Sequence, residues 1–210
     1  MKVNSPFVIT ISRQLGSGGA YIGKQLAKNL DIFYADREII SQVARQYSLL
    51  EEDLESHEEK KASFWQSIIQ TYGFGLPDGY VPPQITFPTD RELFQAESDI
   101  IEHIAKERSS VIIGRCGSHI LRKHPNHFDI FLHGDLPFRR ERIQKLLKVS
   151  EQIAERMIIQ SDKERSQYYQ AFTDREWLDA RQYDISINTS KIGLDKSIDL
   201  IMKYLEGNQL

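Results

Sequence analysis

The sequence predicts an α/β fold with a five-stranded parallel sheet that is covered by helices on both faces. Short apolar segments rich in β-branched residues alternate along the chain with segments whose apolar residues recur at helical spacing. Such continuous apolar runs are typical of parallel strands, because helices bury these strands on both sides. A glycine-rich turn joins the first predicted strand to the first predicted helix, as in backbones that wrap a phosphate.

The first half of the chain contains two predicted strands, 7–12 and 32–34, each of which is followed by a helix. The first of these helices covers about 19–30 and the second about 37–47. Three glycines and four prolines predict that the segment 73–88 is irregular.

The second half begins with a helix over about 90–107, where Thr89 and Glu92 have the spacing of a capping box. Three further strands are predicted at 111–113, 128–132 and 184–188. A long arginine-rich helical stretch runs from 137 to about 170, and a terminal helix covers about 194–206. Strands and helices therefore alternate to the end of the chain, as a parallel sheet requires.

Polar residues follow several of the predicted strands at the point where each strand ends. Ligands of open parallel sheets bind at these carboxyl ends, which here carry 13–19, Asp36-Arg37, Gly114-Arg115 and 133–135. An arginine at such an edge can clamp a phosphate with two hydrogen bonds. The alternative is that these arginines form surface ion pairs or begin helices.

The glycine-rich turn matches the P-loop pattern G-x-x-x-x-G-K-[ST] only in part. If the loop starts directly after the strand, Arg13 takes the first glycine position, and Gly19 and Ala20 replace the lysine and the hydroxyl. In the other register residues 18–24 fit the spacing, but the loop starts about six residues past the strand, which places Lys24 inside the helix. We favour the first register, in which Arg13 supplies the charge as a planar fork. The alternative is a packed turn that binds nothing.

Composition limits the classes of function. The chain has 210 residues, which is enough for one domain, and its net charge of −3 provides no general basic field for nucleic acid. The single cysteine, Cys116, excludes an intrachain disulfide and favours a reducing cytosol. No apolar run is long enough to span a bilayer, and the histidines at 119, 124, 127 and 133 match no metal template. We expect a cytoplasmic protein that contacts neither nucleic acid nor membrane and has no metal-ligating residues; its oligomeric state stays open.

Arginines concentrate in the segment 139–181, which contains seven of them. Runs of charge usually form a solvated helical face. Phosphoryl transfer, however, needs cations around the transferred group, and a mobile arginine-bearing lid meets that need.

Several stretches of the sequence together resemble the nucleoside monophosphate kinases, and most closely the cytidylate kinase-like family. The stretches that carry the resemblance are 11–19, 22–27, 34–40, 112–116, 131–132, 139–142 and 183–189. The resemblance implies a P-loop NTPase three-layer sandwich with a helical insertion that binds the monophosphate and an arginine-rich lid. It also implies one domain whose core is 1–44, 96–140 and 182–210, with the insertion at 45–95 and the lid at 141–181.

The resemblance implies transfer of the ATP γ-phosphoryl group to a small phosphate acceptor, with Mg²⁺, and CMP or dCMP is the best guess for the acceptor. The residues expected to bind ATP are Gly16, Ser17, Gly18, Gly19, Ala20 and Lys24. The residues expected to bind the acceptor are Asp36, Arg37 and Arg115. The expected catalytic residues are Arg13 at the turn and the lid arginines Arg156 and Arg165, with Asp162 nearby.

Departures from the family pattern leave a second function open. True cytidylate kinases have lysine and a hydroxyl where this chain has Gly19 and Ala20, and aspartates where it has Ile113 and Cys116. Loss of one preorganised contact to the transition state costs roughly 3–4 kcal/mol in other enzymes. The rival expectation is a nucleotide-binding module with little or no kinase activity.

Overall fold

The computed structural model describes residues 5–37, 39–41, 43–44 and 90–208. The described residues between 37 and 44 are helical, as predicted for the segment after the second strand. The irregular segment 73–88 and most of the insertion expected at 45–95 lie outside the described residues.

All five predicted strands lie in one parallel sheet, which confirms the predicted fold class. The strands are β1 (Val8–Arg13), β2 (Phe33–Ala35), β3 (Ser110–Ile113), β4 (His127–His133) and β5 (Ile185–Asn188). Their order across the sheet is β2-β3-β1-β4-β5, so β1 is the central strand. Because β1 and β3 are neighbours in register, Arg13 at the end of β1 and Gly114 directly after β3 meet at one edge of the sheet.

Helices cover both faces of this sheet. In chain order they are α1 (Gly19–Leu30), α2 (Asp90–Glu107), α3 (Gly117–Ile120), α4 (Leu136–Leu147), α5 (Glu151–Thr173), α6 (Thr189–Ile192) and α7 (Leu194–Gly207). The helices α1 and α7 pack together on one face, where the buried residues include Ile22, Leu26 and Ile201. The other face is covered by α2 and α3, and its core includes Ile100, Ile101 and Ile112. The apolar spacing that predicted α1 and α2 is therefore the spacing of these two cores.

The long helix predicted over 137–170 consists of two helices, α4 and α5. The chain leaves α4 at Lys148, whose φ of 54° is left-handed, and Ser150 then caps α5 by accepting a hydrogen bond from the backbone N–H of Ile153. A serine before a helical segment is a regular start signal. The break allows α5 to pack against α4, where Arg140 pairs with Glu155 at 2.9 Å.

A buried polar network connects β1 to β4. The Thr10 hydroxyl donates to Asp129 Oδ1 at 2.7 Å, and Thr10 Oγ1 lies 2.6 Å from His127 Nε2. Burial raises the pKa of the Asp129 carboxyl well above its usual range and lowers the pKa of His127 to about 4. Each group is therefore favoured in its neutral form, because burial outweighs the attraction of the nearby Asp184 for His127 and the hydrogen bond from Thr10 to Asp129.

We expect His127 to make the folded state less stable as the pH falls. Its pKa is 6.5 in the unfolded chain and about 4 in the folded one, so between these values the unfolded chain binds more protons. The contribution of His127 to the free energy of unfolding should therefore decrease from pH 6.5 to pH 4, by up to about 3 kcal/mol, whereas the raised pKa of Asp129 contributes with the opposite sign. A His127→Gln variant lacks this term. Urea unfolding gives the free energy of unfolding of both proteins across this pH range. The value for the wild type minus that for the variant should fall toward low pH, whereas a constant difference would contradict the assignment.

Candidate functional site

A cavity of about 220 Å³ lies at the carboxyl ends of β1 and β3. Four arginines line it, together with one carboxylate and an aromatic wall. Its lining residues are Ser12, Arg13, Arg37, Gly114, Arg115, Cys116, Ser161, Glu164, Arg165, Tyr168, Tyr169 and Trp177. We call it the arginine cavity. Such an excess of guanidinium groups over carboxylates suits an anion that carries more than one charge.

The glycine turn, residues 14–20, lies beside this cavity and begins α1. Gly16 and Gly18 have φ values of 83° and 90°, a backbone conformation that other residues adopt only with strain. A Cβ on Gly16 would lie 2.7 Å from the carbonyl oxygen of Arg139, and a Cβ on Gly18 would overlap Leu194. These two glycines therefore serve the packing of α4 and α7 as well as the shape of the turn.

The carbonyl groups of this turn are held by side chains from other elements. Arg165 donates to the carbonyl of Arg13 at 2.7 Å, and Arg142 donates to that of Gly16 at 3.1 Å. Further donors are Arg139 to Leu15 O at 3.3 Å and Thr189 to Ser17 O at 2.9 Å. Arginines of the segment 139–181 thus fix the backbone of the turn, and of Arg13 before it, through carbonyl oxygens.

The N–H groups of the turn are left available on its other side. Among the described residues, the N–H groups of Gly18, Gly19 and Ala20 donate to no oxygen. They also begin α1, whose 12 residues place partial positive charge at this point. Free N–H groups at the start of a helix are a binding site for an anion such as a phosphate.

Arg13 runs between the glycine turn and the arginine cavity. A Cβ on Gly19 would lie 2.6 Å from Arg13 Cγ, and a Cβ on Gly114 would overlap the guanidinium group. Burial and the neighbouring Arg165 lower the pKa of Arg13, whereas Asp36 raises it. Arginine nevertheless stays protonated in proteins, so a fixed cation stands between the two parts of the site.

Two of the three residues expected to bind the acceptor, Arg37 and Arg115, line the cavity, whereas Asp36 does not. Arg115 pairs with Glu97, and its guanidinium carbon lies 5.0 Å from the centre of the Tyr168 ring. Asp36 accepts a hydrogen bond from the N–H of Ile39 at 3.2 Å and so caps the helix that follows β2. Arg37 is exposed and lines the cavity at its rim.

Two of the expected site residues lie elsewhere. Lys24 is exposed inside α1, and its ammonium group lies 5.6 Å from the centre of the Tyr34 ring. This is the position that the second register of the P-loop pattern implies. Arg156 is exposed on α5, where its Nε donates to the carbonyl of Gln152 at 3.4 Å. Neither residue lines the arginine cavity.

Other residues of the site were missed or given no role by the sequence analysis. Asp162 accepts from the N–H of Leu15 at 3.1 Å and from Arg139 at 2.6 Å, so it joins the glycine turn to α4. Glu97 lies on the buried face of α2, one turn before Ile100 and Ile101. A carboxylate among these isoleucines was the available signal, because a charge on an apolar helix face needs a partner.

Two properties of the described residues limit what the site can hold. None of their His, Cys, Asp and Glu side chains form a group of three or more that could hold a metal ion. Burial raises the pKa of Cys116 to about 12, which makes its thiol a poor nucleophile. In addition, no helix in the described part of the chain has the length and apolar character needed to cross a membrane.

Comparisons with known proteins agree with this architecture. The model of the cytidylate kinase-like family matches residues 8–191, whereas no curated protein matches the chain. Among solved structures, an uncharacterized protein from Eubacterium ventriosum ATCC 27560 is similar, with a TM-score of 0.71 and 26% identity over 95% of this chain and 98% of the other.

Shikimate kinases share the fold at a greater distance. The enzyme from Bacteroides thetaiotaomicron has a TM-score of 0.51 and 13% identity, and covers 95% of this chain and 98% of its own. The enzyme from Acinetobacter baumannii, solved with shikimate, has a TM-score of 0.50 and 13% identity over 99% of this chain and 96% of its own. These likenesses show a kinase-like P-loop fold. Since the family model matches most of the chain, the protein belongs to the cytidylate kinase-like family.

Proposed function

We propose that the protein transfers the γ-phosphoryl group of ATP to a small phosphate acceptor, with CMP or dCMP as the first candidate. The observation that carries this proposal is the position of the arginine cavity next to the free N–H groups of the glycine turn. Phosphoryl transfer needs two neighbouring anion sites with a cation between them, and Arg13 lies between these two. Membership of the family supports the same reaction.

The donor phosphates bind the glycine turn in this proposal. Their oxygens accept from the N–H groups of Gly18, Gly19 and Ala20, with Gly16 and Ser17 shaping the turn. Arg139, Arg142 and Arg165 hold the carbonyls away from the phosphates, so no carbonyl oxygen repels the anion. Lys24 has no direct part, because it lies within α1 over Tyr34.

The acceptor occupies the arginine cavity, and its phosphate faces Arg115. An oxygen of that phosphate attacks the γ-phosphorus, the bond from phosphorus to the bridging oxygen breaks, and ADP leaves. Negative charge accumulates on the transferred group and on the bridging oxygen. Arg13 and Arg165 lie within reach of this region and stabilise that charge, which the usual lysine does in other P-loop proteins. Arg156 lies outside the cavity and therefore has no part in the proposed mechanism.

Magnesium enters this scheme with ATP. The described residues contain no cluster of carboxylates and no hydroxyl at position 20, so they do not form a protein cage for the ion. Mg²⁺ commonly binds substrate phosphates and keeps several waters, with few protein ligands.

We also propose that the protein is cytoplasmic. Its single cysteine, Cys116, is buried and free, as is common in the reducing cytosol.

The second candidate function is nucleotide binding with little turnover. The specific observation in its favour is the absence of lysine and hydroxyl at Gly19 and Ala20, which removes one contact to the donor phosphates and one to their Mg²⁺. In this candidate function ATP still binds the glycine turn, but no acceptor reacts.

We expect transfer to a monophosphate that is measurable but slow. The assay follows ADP release with CMP, dCMP, UMP or AMP at saturating Mg-ATP, and at least one acceptor should raise the rate above the acceptor-free ATPase rate. A thermal-shift panel forms the binding control, since ligands that bind the native state raise the melting temperature. If ATP binds but no acceptor raises the rate of ADP release, kinase activity toward these acceptors is rejected. The second candidate function, nucleotide binding with little turnover, is then favoured.

A further inference from the structure

Glu97 is a carboxylate with no exposure to solvent that holds side chains from three other parts of the chain. Arg115, which follows β3, pairs with its Oε1. Ser41, from the helix after β2, donates to the same oxygen at 2.8 Å. Tyr168, on α5, donates to Oε2 at 3.4 Å. A buried carboxylate is tolerated only with such partners, so the residue joins four segments of the fold.

Two of these partners line the arginine cavity. Arg115 and Tyr168 both face it, and the guanidinium carbon of Arg115 lies 5.0 Å from the centre of the Tyr168 ring. The Arg115 backbone has a φ of 53°, which is left-handed and unusual for a residue with a side chain. Its guanidinium is thus fixed by Glu97 at one nitrogen, by an aromatic face and by its own backbone.

Among the described residues, no acceptor is found for the remaining donors of Arg115. Its Nε is buried and has no hydrogen-bond partner among the described residues. Buried donors are almost always paired, and an unpaired one marks a position where a ligand or water completes the bond. Because the guanidinium is planar, fixing one nitrogen on Glu97 also fixes the direction of the others.

We propose that Glu97 is a positioning residue for phosphoryl transfer, acting through Arg115. Glu97 fixes the orientation of the Arg115 guanidinium group so that its unused donors point to the acceptor phosphate. Through its contact with Tyr168, Glu97 also makes this orientation depend on the position of α5. The proposal rests on the proposed function for its kinetic part. The carboxylate also offsets the charge of Arg115, so Glu97 favours correct orientation over affinity for the acceptor.

The test is a Glu97→Gln variant, which keeps the size of the side chain and one acceptor oxygen but removes the charge. We expect kcat to fall about tenfold or more, because a misplaced acceptor reacts slowly. The KM for the acceptor should rise by no more than about fivefold, because the charge of Arg115, no longer offset by Glu97, partly compensates for its lost orientation. The KM for ATP should not change. A proportional loss for ATP and acceptor would overturn the proposal in favour of a general folding role.

A double-mutant cycle with Arg115→Ala shows whether Glu97 acts through Arg115. In the Arg115→Ala background the Glu97→Gln change should alter kcat/KM by less than about twofold, because the group being positioned is absent. Additive losses would overturn the proposal. Ser41→Ala is the matched control: it removes another partner of the same oxygen without touching Arg115, and kcat should stay within about twofold of wild type.

A second variant covers the case in which Glu97→Gln does not fold. Tyr168→Phe keeps the ring beside Arg115 and removes only the hydroxyl that contacts Glu97. It should lower kcat by a few fold, and this effect should also vanish in the Arg115→Ala background. An unchanged kcat, or a loss that persists without Arg115, would overturn the proposed link to α5.

Calorimetric titration with CMP and with inorganic phosphate separates this proposal from the proposed function. If no acceptor reacts, the kinase reaction is rejected, but the cycle is repeated on the Kd of CMP. If Glu97 positions Arg115, Glu97→Gln should raise the Kd of CMP in the wild-type background. The same change should have no effect on the Kd in the Arg115→Ala background. Additive effects on the Kd, or no binding of either probe to the wild-type protein, would overturn the proposal for Glu97.

Discussion

Replacing Arg13 with alanine should lower kcat by about 100- to 1,000-fold while the KM values for ATP and the acceptor change by less than about threefold. Arg13 lies between the glycine turn and the arginine cavity, where negative charge builds up during transfer. Removing one preorganised donor from such a position costs roughly 3–4 kcal/mol of transition-state stabilisation. A loss confined to kcat indicates a contact that strengthens in the transition state.

Steady-state kinetics with the best acceptor, at saturating Mg-ATP, measure this effect. Lys24→Ala is the matched control, since it removes a cation of α1 that lies over Tyr34 and outside the cavity, and kcat should change by less than about twofold. Arg13→Lys should recover only part of the rate, because an ammonium group does not reproduce the planar fork. If Lys24→Ala lowers kcat as much as Arg13→Ala, the second register of the P-loop pattern is the functional one.

Much of the fold follows from local patterns in the sequence. The predicted strands and the helices α1, α2 and α7 agree with the structure to within one or two residues at their ends. Buried parallel strands consist of continuous apolar runs, and amphipathic helices repeat with a period near 3.6, so both signals are contained in short windows. The proximity of Arg13 and Gly114 follows from the same reasoning, since each lies at the carboxyl end of a strand in one parallel sheet.

The interior of the site does not follow from local patterns. The glycines of the turn were read as a phosphate-binding backbone, but Gly16 and Gly19 also make room for Arg139 and Arg13, which are close only in three dimensions. Glu97 pairs with Arg115, which is 18 residues away along the chain. Such pairs depend on how helices pack on the sheet, and one sequence without its relatives carries no record of them.

The arginines of the segment 139–181 show the same limit. Their number suggested free cations for a transferred phosphate, yet Arg139, Arg142 and Arg165 donate to backbone carbonyls of the glycine turn or its preceding residue. A guanidinium group has five donors, so holding one carbonyl leaves others for a ligand. Part of the arginine excess therefore fixes the geometry of the turn, and its charge still contributes to the field at the anion site.

Gly16→Ala should destabilise the folded protein by about 2–4 kcal/mol and abolish the ATP-induced rise in melting temperature. An alanine at a left-handed φ costs roughly 1–2 kcal/mol. In addition, the new Cβ would lie 2.7 Å from the carbonyl oxygen and 2.9 Å from the Cβ of Arg139, so the turn and α4 must move apart. That movement breaks the contacts that hold the carbonyls of the turn and thereby the arrangement of its N–H groups.

Gly193→Ala separates the two causes. Gly193 has a φ of 86° and a ψ of 159°, a conformation that is almost confined to glycine, but a Cβ there meets no atom within 4 Å. It should therefore show a conformational cost without a clash and keep the response to ATP. Urea unfolding gives the two free energies, and melting curves with and without Mg-ATP give the response. A Gly16→Ala protein destabilised by no more than the conformational cost of about 1–2 kcal/mol would mean that α4 does not pack against the glycine turn as closely as this structure has it. A Gly16→Ala protein that still responds to ATP would mean that the donor phosphates do not rest on this turn.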